Sequence, residues 1–243
     1  MTVSTPITFL HPMVKDAVSV IVIAKDAGRF LAQALLSVRA QELRPLEVLL
    51  VLGESSDDTD AVAAGFPEVV RLRQPGRGIA DAWNTGIGHA RGELLAFLSA
   101  DDLWTQDKLQ VQTAAMWAEP QLAYTIAHFR YLLEPGCPWP PGLRPELNGQ
   151  VLVGRIMETL VARRQLFAQL GGFDEALSTA EDVDFFLRAQ EQGAAMRALP
   201  EVLLHKRLHG ANASLAAAAN TRNLFTALRR SIQRRENVNG SDR

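Results

Sequence analysis

Three clusters of polar residues each follow an apolar run of the kind that forms a buried strand. The clusters are Lys25-Asp26, Glu54-Ser55-Ser56-Asp57-Asp58 and Ser99-Ala100-Asp101-Asp102. Ligands in open α/β sheets bind beyond the carboxyl ends of the strands, where we expect these clusters to meet. Taken singly, such residues are usually helix caps or turn formers. Three clusters at one sheet edge favour a ligand site, and their carboxylates offer the oxygen atoms that divalent cations prefer.

A further acidic group, Glu181, Asp182 and Asp184, opens a predicted helix. A carboxylate held opposite a leaving group can accept a proton from an attacking hydroxyl. Acidic residues also favour the first turn of a helix through its dipole. From the residues alone, this structural role is the preferred interpretation.

The elements that position these residues alternate regularly in the first half of the chain. We predict strands over 18–24, 46–52, 69–73 and 94–98, and helices over 28–40, 57–64, 79–90 and from a Thr105 cap to about residue 118. The strands are continuous apolar runs, which is typical of strands that are buried on both faces. Alternating strands and helices predict a parallel sheet that is covered by helices.

The second half of the chain is less regular. We predict strands over 122–133, 195–199 and 202–208, helices over 164–170, 180–192 and 215–235, and a loop rich in Pro and Gly over 134–149. No internal repeat or linker interrupts the pattern. The predicted organisation is therefore an N-terminal extension over 1–17, a single domain over 18–235 and a polar tail over 236–243.

Composition narrows the class of protein. Of the 243 residues, 47% are hydrophobic and 21% are charged, and the net charge of −2 gives no reason to expect nucleic-acid binding. The lone Cys137 excludes an internal disulfide and a cysteine-based zinc site. The N-terminus lacks the pattern of a signal peptide, and no apolar run spans a bilayer. These features predict a cytoplasmic protein.

The sequence resembles the family 2 glycosyltransferases of the GT-A fold. Four blocks carry the resemblance in order: VSVIVIAKDAGRFLAQALLSVRAQELRPLEVLLV with SSDDT, GIADAWNTGIGHARGELLAFLSADDLWTQDKLQ, GGFDEALSTAEDVDFFLRAQEQG and RLHGANAS. The match runs from about Val18 to Ser214. It implies an α/β, Rossmann-like nucleotide-binding fold, with a mostly parallel central sheet flanked by helices and a C-terminal helix. The implied activity is transfer of a sugar from a nucleotide-sugar donor to an acceptor hydroxyl.

The resemblance also implies roles for individual residues. Asp101 would hold Mn²⁺ or Mg²⁺ on the donor's diphosphate, and His209 would add a ligand or contact the diphosphate; a surface histidine before a Gly turn is an equal alternative. Asp182, with Glu181 beside it, matches the general base, and one base implies inversion. Because Asp182 opens a helix, we expect a lowered pKa. The residues expected to bind the nucleotide sugar are Ala24, Asp26, Glu54, Gly78, Asn84, Ala100 and Asp101.

Four positions depart from the family pattern. Leu52 and Gly53 stand where acidic residues commonly contact the nucleotide base, so Glu54 or backbone groups would have to recognise it. Ser99 replaces the first aspartate of the D-x-D metal motif. Trp83 stands where an arginine is frequent.

Because of these departures, two hypotheses stay open. One is an active inverting transferase, and the other is a degenerate member that binds a sugar nucleotide or a protein partner without turnover. A nucleotidyltransferase is disfavoured because AKDAGRF lacks a basic, Gly-rich loop.

The acceptor could be a glycan, a lipid-linked compound, a small molecule or a peptide, selected by the irregular 130–165 region around Trp139. The arginine-rich end of the last helix suggests peripheral membrane contact, although a solvated helix face is an ordinary alternative.

Overall fold

Apolar runs form the central strands of a mixed sheet, as their patterns predict. The structure is a computed structural model that describes residues 6–210, 212 and 217–241. Its strands are β1 (Val14–Ala24), β2 (Glu47–Leu52), β3 (Val70–Arg73), β4 (Gly92–Ser99), β5 (Leu103–Trp104), β6 (Tyr124–Leu133), β7 (Leu152–Val153), β8 (Val161–Arg163) and β9 (Met196–Leu208). Its helices are α1 (Gly28–Arg39), α2 (Thr59–Ala64), α3 (Ile79–His89), α4 (Lys108–Ala118), α5 (Arg164–Leu170), α6 (Glu181–Glu191) and α7 (Ala217–Ser241), with 3₁₀ turns at Pro145–Leu147 and Met157–Thr159.

The sheet places the carboxyl end of β1 at its topological switch point. The strand order is β3-β2-β1-β4-β8-β6-β9-β5, with β7 paired to β6. Strands β3, β2, β1 and β4 are parallel, β8 runs antiparallel to both of its neighbours, and β9 is parallel to β6. Because the chain moves from β1 outward to β3 and then returns to the other side of β1, a crevice opens between β1 and β4.

Alternating side chains of β1 enter two cores, one on each face of the sheet. Val20 and Val22 pack with α1 on one face, and Ile21 packs with α3 on the other. A strand that must bury both faces needs a continuous apolar run, which is why this segment has one. On the α3 face, Phe167 and Phe185 stack at 5.0 Å between ring centroids and join α5 to α6.

The structure corrects several predicted element boundaries. The strands predicted over 195–199 and 202–208 are one strand, β9, whose pairing with β6 shifts register at 200–201. A bulge accommodates Pro200, which has no N–H to donate to the sheet. Thr105 does not cap α4; the N-cap residue is Asp107, and Thr105 Oγ1 donates to its carboxylate at 2.6 Å.

The predicted ends of the domain also move. Strand β1 begins at Val14, inside the predicted extension, where the Val14 N–H donates to the Arg91 carbonyl. Helix α7 continues to Ser241, through most of the predicted polar tail, because that tail contains no proline to stop it. Across residues 6–210, 212 and 217–241, no helix is long and apolar enough to cross a membrane.

Candidate active site

A cleft of about 880 Å³ opens at the carboxyl ends of β1 and β4. The cleft is lined by the loop after β1, the start of α3, the ends of β4 and β9 and the start of α6. Eight of the residues predicted from the sequence line this cleft: Ala24, Asp26, Gly78, Ala100, Asp101, Glu181, Asp182 and His209. The fold therefore brings together residues that lie as far apart as 24 and 209.

Asp101 is held at the end of β4 by partners from the end of β9. His209 Nε2 lies 3.1 Å from Asp101 Oδ2, and Asn212 Nδ2 donates to the same oxygen at 3.1 Å. The His209 ring packs against Phe30 of α1 with 4.6 Å between centroids. Burial alone would raise the pKa of Asp101, but the hydrogen bond to His209 and the charge of Lys206 outweigh it and hold the pKa below its ordinary value. Asp101 is therefore a carboxylate at neutral pH.

Asp102 turns away from the cleft and fixes the end of β9. Its Oδ1 accepts the Arg207 N–H at 2.8 Å, and its Oδ2 lies 3.0 Å from Lys206 Nζ. Burial raises the pKa of Asp102 to about 8, although the ammonium of Lys206 acts to lower it. The N–H donors on both carboxylate oxygens favour the ionised form.

Glu158 and Lys206 are cleft residues that the sequence did not reveal. Ser99 Oγ donates to Glu158 Oε1 at 2.6 Å, and Lys206 Nζ lies 3.4 Å from the same oxygen. Burial lowers the pKa of Lys206, but the surrounding carboxylates raise it well above its ordinary value. The serine that replaces an aspartate of the metal motif thus faces a carboxylate from another part of the chain. Lys206 lies among other charged residues of β9, such as Arg197 and Arg207, so its sequence context gave no distinguishing signal, and Glu158 carried none either.

Glu181 and Asp182 open α6 and also line the cleft. Val183 N–H donates to Asp182 Oδ1 at 2.7 Å, and Ala180 before them has a left-handed φ of 62°. The predicted direction of the Asp182 pKa is wrong: burial and the charge of Glu158 raise it to about 6. These effects outweigh the helix N-terminus because the group is partly buried near another carboxylate. Burial and Asp182 likewise raise the pKa of Glu181 to about 8, so Asp182 is the ionised member of the pair at neutral pH.

Asn84 lies outside the cleft lining and holds the turn before α6. Its Nδ2 donates to the Phe173 carbonyl and to Glu175 Oε1, both at 2.9 Å, and its Oδ1 accepts the Phe173 N–H at 2.8 Å. A Cβ atom on Gly172 would lie 2.4 Å from Asn84 Oδ1, which explains the glycine there. The predicted nucleotide contact at Asn84 is therefore corrected to a support for the Gly-Gly-Phe-Asp-Glu turn.

Most of the second polar cluster supports the backbone around the cleft. Glu54 is exposed and does not line the cleft, contrary to the prediction. Asp57 Oδ2 accepts the Gly28 N–H at 2.9 Å and so caps α1, whose first amides have no partner within the helix. Asp26, with a left-handed φ of 48°, accepts the Ser56 N–H at 2.7 Å. These bonds fix the loop after β1.

Gln74 takes the cleft position that the sequence suggested for Glu54. It follows β3, lines the cleft, and donates from Nε2 to the Gly78 carbonyl at 2.7 Å. Its Oε1 lies over Gly53, where an added Cβ atom would be 3.2 Å away. The side-chain oxygen is thus available in the crevice beside β1 and β2.

The comparison with known families decides the classification. The sequence model described as Glycosyl transferase family 2 matches residues 19–149, more than half of the chain. The chain belongs to this family. The family membership predicted from the sequence is confirmed. The match ends before the segments that carry Glu158, Asp182 and His209.

Relatives and solved structures extend the likeness. The chain is 28% identical over 234 residues to the O-antigen biosynthesis protein RfbC of Myxococcus xanthus, covering 90% of this chain and 18% of that protein. It is 26% identical over 208 residues to chondroitin synthase of Escherichia coli, covering 82% and 30% respectively. The chain thus spans less than a third of the length of these curated relatives.

Two solved structures share the fold. S. aureus TarS 1-349 in complex with UDP-GlcNAc matches with a TM-score of 0.63 and 19% identity, covering 81% of this chain and 60% of that one. Glucosyl-3-phosphoglycerate synthase from Mycobacterium tuberculosis, in complex with Mn²⁺, UDP and glucosyl-3-phosphoglycerate, matches with a TM-score of 0.61 and 12% identity, covering 88% and 79%. The predicted fold class is confirmed.

Proposed function

We propose that this family 2 member transfers a sugar from a nucleotide-sugar donor to an acceptor hydroxyl, with inversion at the anomeric carbon. The observation that carries the proposal is one cleft that contains two carboxylates from distant segments, Asp101 at the end of β4 and Asp182 at the start of α6. We assign Asp101 to the diphosphate end of the donor and Asp182 to the attacking hydroxyl. Solved relatives of the same fold were obtained with UDP and UDP-GlcNAc, which supports a nucleotide-sugar donor.

The side-chain atoms of Asp101 and His209 are suited to bind a divalent cation. In the described part of the chain, no three acidic, histidine or cysteine side chains form a metal site by themselves. Mg²⁺ and similar ions are often held by one or two protein ligands together with substrate phosphates and water. Asp101 Oδ2 and His209 Nε2 are 3.1 Å apart, close to the roughly 3 Å that separates adjacent ligands with bonds of about 2.1 Å.

We therefore assign Asp101 and His209 as the protein ligands of Mn²⁺ or Mg²⁺. The ion, when bound, neutralises the charge that develops on the departing diphosphate. Lys206 lines the same cleft, and its ammonium lies between the carboxylates of Asp102 and Glu158. It adds a fixed positive charge near the proposed metal ligands.

Asp182 is the general base. A pKa of about 6 leaves it ionised at neutral pH while making it more basic than an ordinary aspartate. Glu181, with its higher pKa, is protonated beside it. One such base implies a single displacement, and hence inversion.

Relatives named for O-antigen, chondroitin and hyaluronan synthesis favour a growing glycan as the acceptor. The half-buried Trp139, held by a 2.9 Å hydrogen bond from Nε1 to the Leu143 carbonyl, lies in the segment we assign to acceptor selection.

The test measures sugar release from a panel of nucleotide sugars with Mn²⁺ and with a chelator, followed by transfer to glycan acceptors. Asp101→Ala should lose metal-dependent donor binding, and Asp182→Asn should bind the donor but not turn it over. Glu54→Gln, an exposed carboxylate outside the cleft, is the matched control. The alternative is a degenerate binding protein, and it would be supported if the wild type bound a donor but never released or transferred its sugar. The serine at position 99 and the lack of side-chain hydrogen-bond acceptors at Leu52 and Gly53 favour that alternative.

A further inference from the structure

Helix α7 has a fixed orientation because polar contacts hold its inner face against the domain. Arg230 forms an ion pair with Asp174, and Arg234 Nε donates to Glu191 Oε2 at 2.6 Å. Ala227, three residues before Arg230, is completely buried. These contacts determine which face of α7 points away from the domain, and we call it the outer face.

The outer face carries a stripe of large apolar side chains. Leu224, Phe225, Leu228 and Ile232 are exposed by 40%, 65%, 40% and 58%. Counted from Leu224, the other three follow after one, four and eight residues, so all four lie along one face of the helix. Single exposed apolar residues are ordinary, but a contiguous stripe marks a binding surface.

Exposed arginines accompany this stripe. Arg222, Arg229 and Arg235 are all exposed, and Glu236 is the acidic residue nearest to them in the chain. From residue 217 onward the sequence has six arginines and two acidic residues, although the whole chain has a net charge of −2. Positive charge is thus concentrated at the helix that carries the apolar stripe.

The stripe starts at the mouth of the cleft. Leu224 belongs both to the stripe and to the cleft lining. Thr221, three residues before it, also lines the cleft. Whatever covers the outer face of α7 therefore also lies beside the cleft.

We propose that the outer face of α7 binds an anionic membrane surface. The apolar stripe enters the boundary between headgroups and acyl chains, and the arginines contact anionic headgroups, while the inner face stays packed on the domain. A second copy of the chain fits less well, because a two-fold contact would bring the arginines of both copies together. The proposal does not depend on the transfer chemistry. Its consequence is that the cleft opens at the bilayer surface, where an acceptor attached to lipid is within reach.

Co-sedimentation of the full chain with vesicles tests the proposal. One set of vesicles contains phosphatidylcholine and phosphatidylglycerol, and the other contains phosphatidylcholine alone. We expect binding to the anionic vesicles that weakens as salt rises. Arg222→Gln and Arg229→Gln should each weaken binding about five-fold, and the double variant Phe225→Ser/Ile232→Ser should weaken it at least ten-fold, roughly the effect of two partly buried apolar side chains. Leu36→Ser, a 49% exposed leucine on α1, is the matched control and should bind like the wild type.

Circular dichroism checks that every variant keeps its helix content. Absence of wild-type binding to anionic vesicles at low salt overturns the proposal. Equal binding by the Phe225→Ser/Ile232→Ser variant overturns it as well. If wild-type protein elutes as a dimer, binds no vesicles, and becomes monomeric in that variant, the stripe is a contact between copies instead.

Discussion

Replacing Asp182 with asparagine should make the protein more stable and abolish most of its turnover. The pKa of Asp182 rises from the model-peptide 3.8 to about 6 in the folded protein, which corresponds to about 3 kcal/mol. Because the side chain lies in a cleft wall that water reaches, we reduce this figure to about 2 kcal/mol. Asparagine has a similar shape and removes the charge, so this destabilisation should disappear at neutral pH.

The sign of the pH dependence follows from the raised pKa. Below pH 3.8 Asp182 is protonated in both states, and its raised pKa contributes fully to stability. As pH rises from 3.8 to about 6, Asp182 loses its proton in the unfolded state while it stays protonated in the folded state. The free energy of unfolding therefore falls across this pH range. The wild type should therefore lose about 2 kcal/mol of stability across this window relative to Asp182→Asn.

Urea unfolding of both proteins at pH 4 and pH 7 measures the difference, and Glu54→Gln serves as the exposed control. Steady-state transfer assays should show a fall in kcat of about 10²–10⁴-fold, with little change in donor affinity. In the wild type, kcat should rise with pH and level off above about pH 6. If Asp182→Asn had near wild-type turnover and no gain in stability at pH 7, both the base assignment and the electrostatic reasoning would be refuted.

Three further predictions concern other residues around the cleft. Asp101→Ala should abolish the Mn²⁺ dependence of donor binding in calorimetric titrations; unchanged metal dependence would contradict the ligand assignment. Ser99→Asp should destabilise the protein by about 2–4 kcal/mol in thermal unfolding, because it places a carboxylate against Glu158. Adding Glu158→Gln should restore most of the lost stability. If the effects of the two substitutions simply add, the proposed pairing is wrong. Gln74→Ala should weaken nucleoside diphosphate binding by about five-fold, the effect of one hydrogen bond, whereas Glu54→Ala should not; the reverse ranking would return base recognition to Glu54.

The cleft shows how the position of a residue in the fold changes its role. Asp57 and Asn84 resemble ligand-binding residues by type and place in the sequence, yet they cap α1 and support the turn before α6. Glu158 lies in an irregular segment that offers no pattern, yet it contacts Ser99. Residue type and order along the chain could not separate these cases, because each contact joins segments that are distant in sequence.

The parallel β1–β4 sheet, the helices on its faces and the location of the cleft are predictable from the sequence alone. Apolar periodicity is a local property, and the carboxyl ends of neighbouring parallel strands must meet, so Asp26, Asp101 and the crevice between them followed from the pattern. The protonation states within the cleft, in contrast, depend on the three-dimensional arrangement of the residues. The pKa of Asp182 depends on its burial and on the distance to Glu158, and neither is encoded in the helix that carries Asp182. Electrostatic energies depend on three-dimensional distance and on exclusion of water, which the order of residues along the chain does not give.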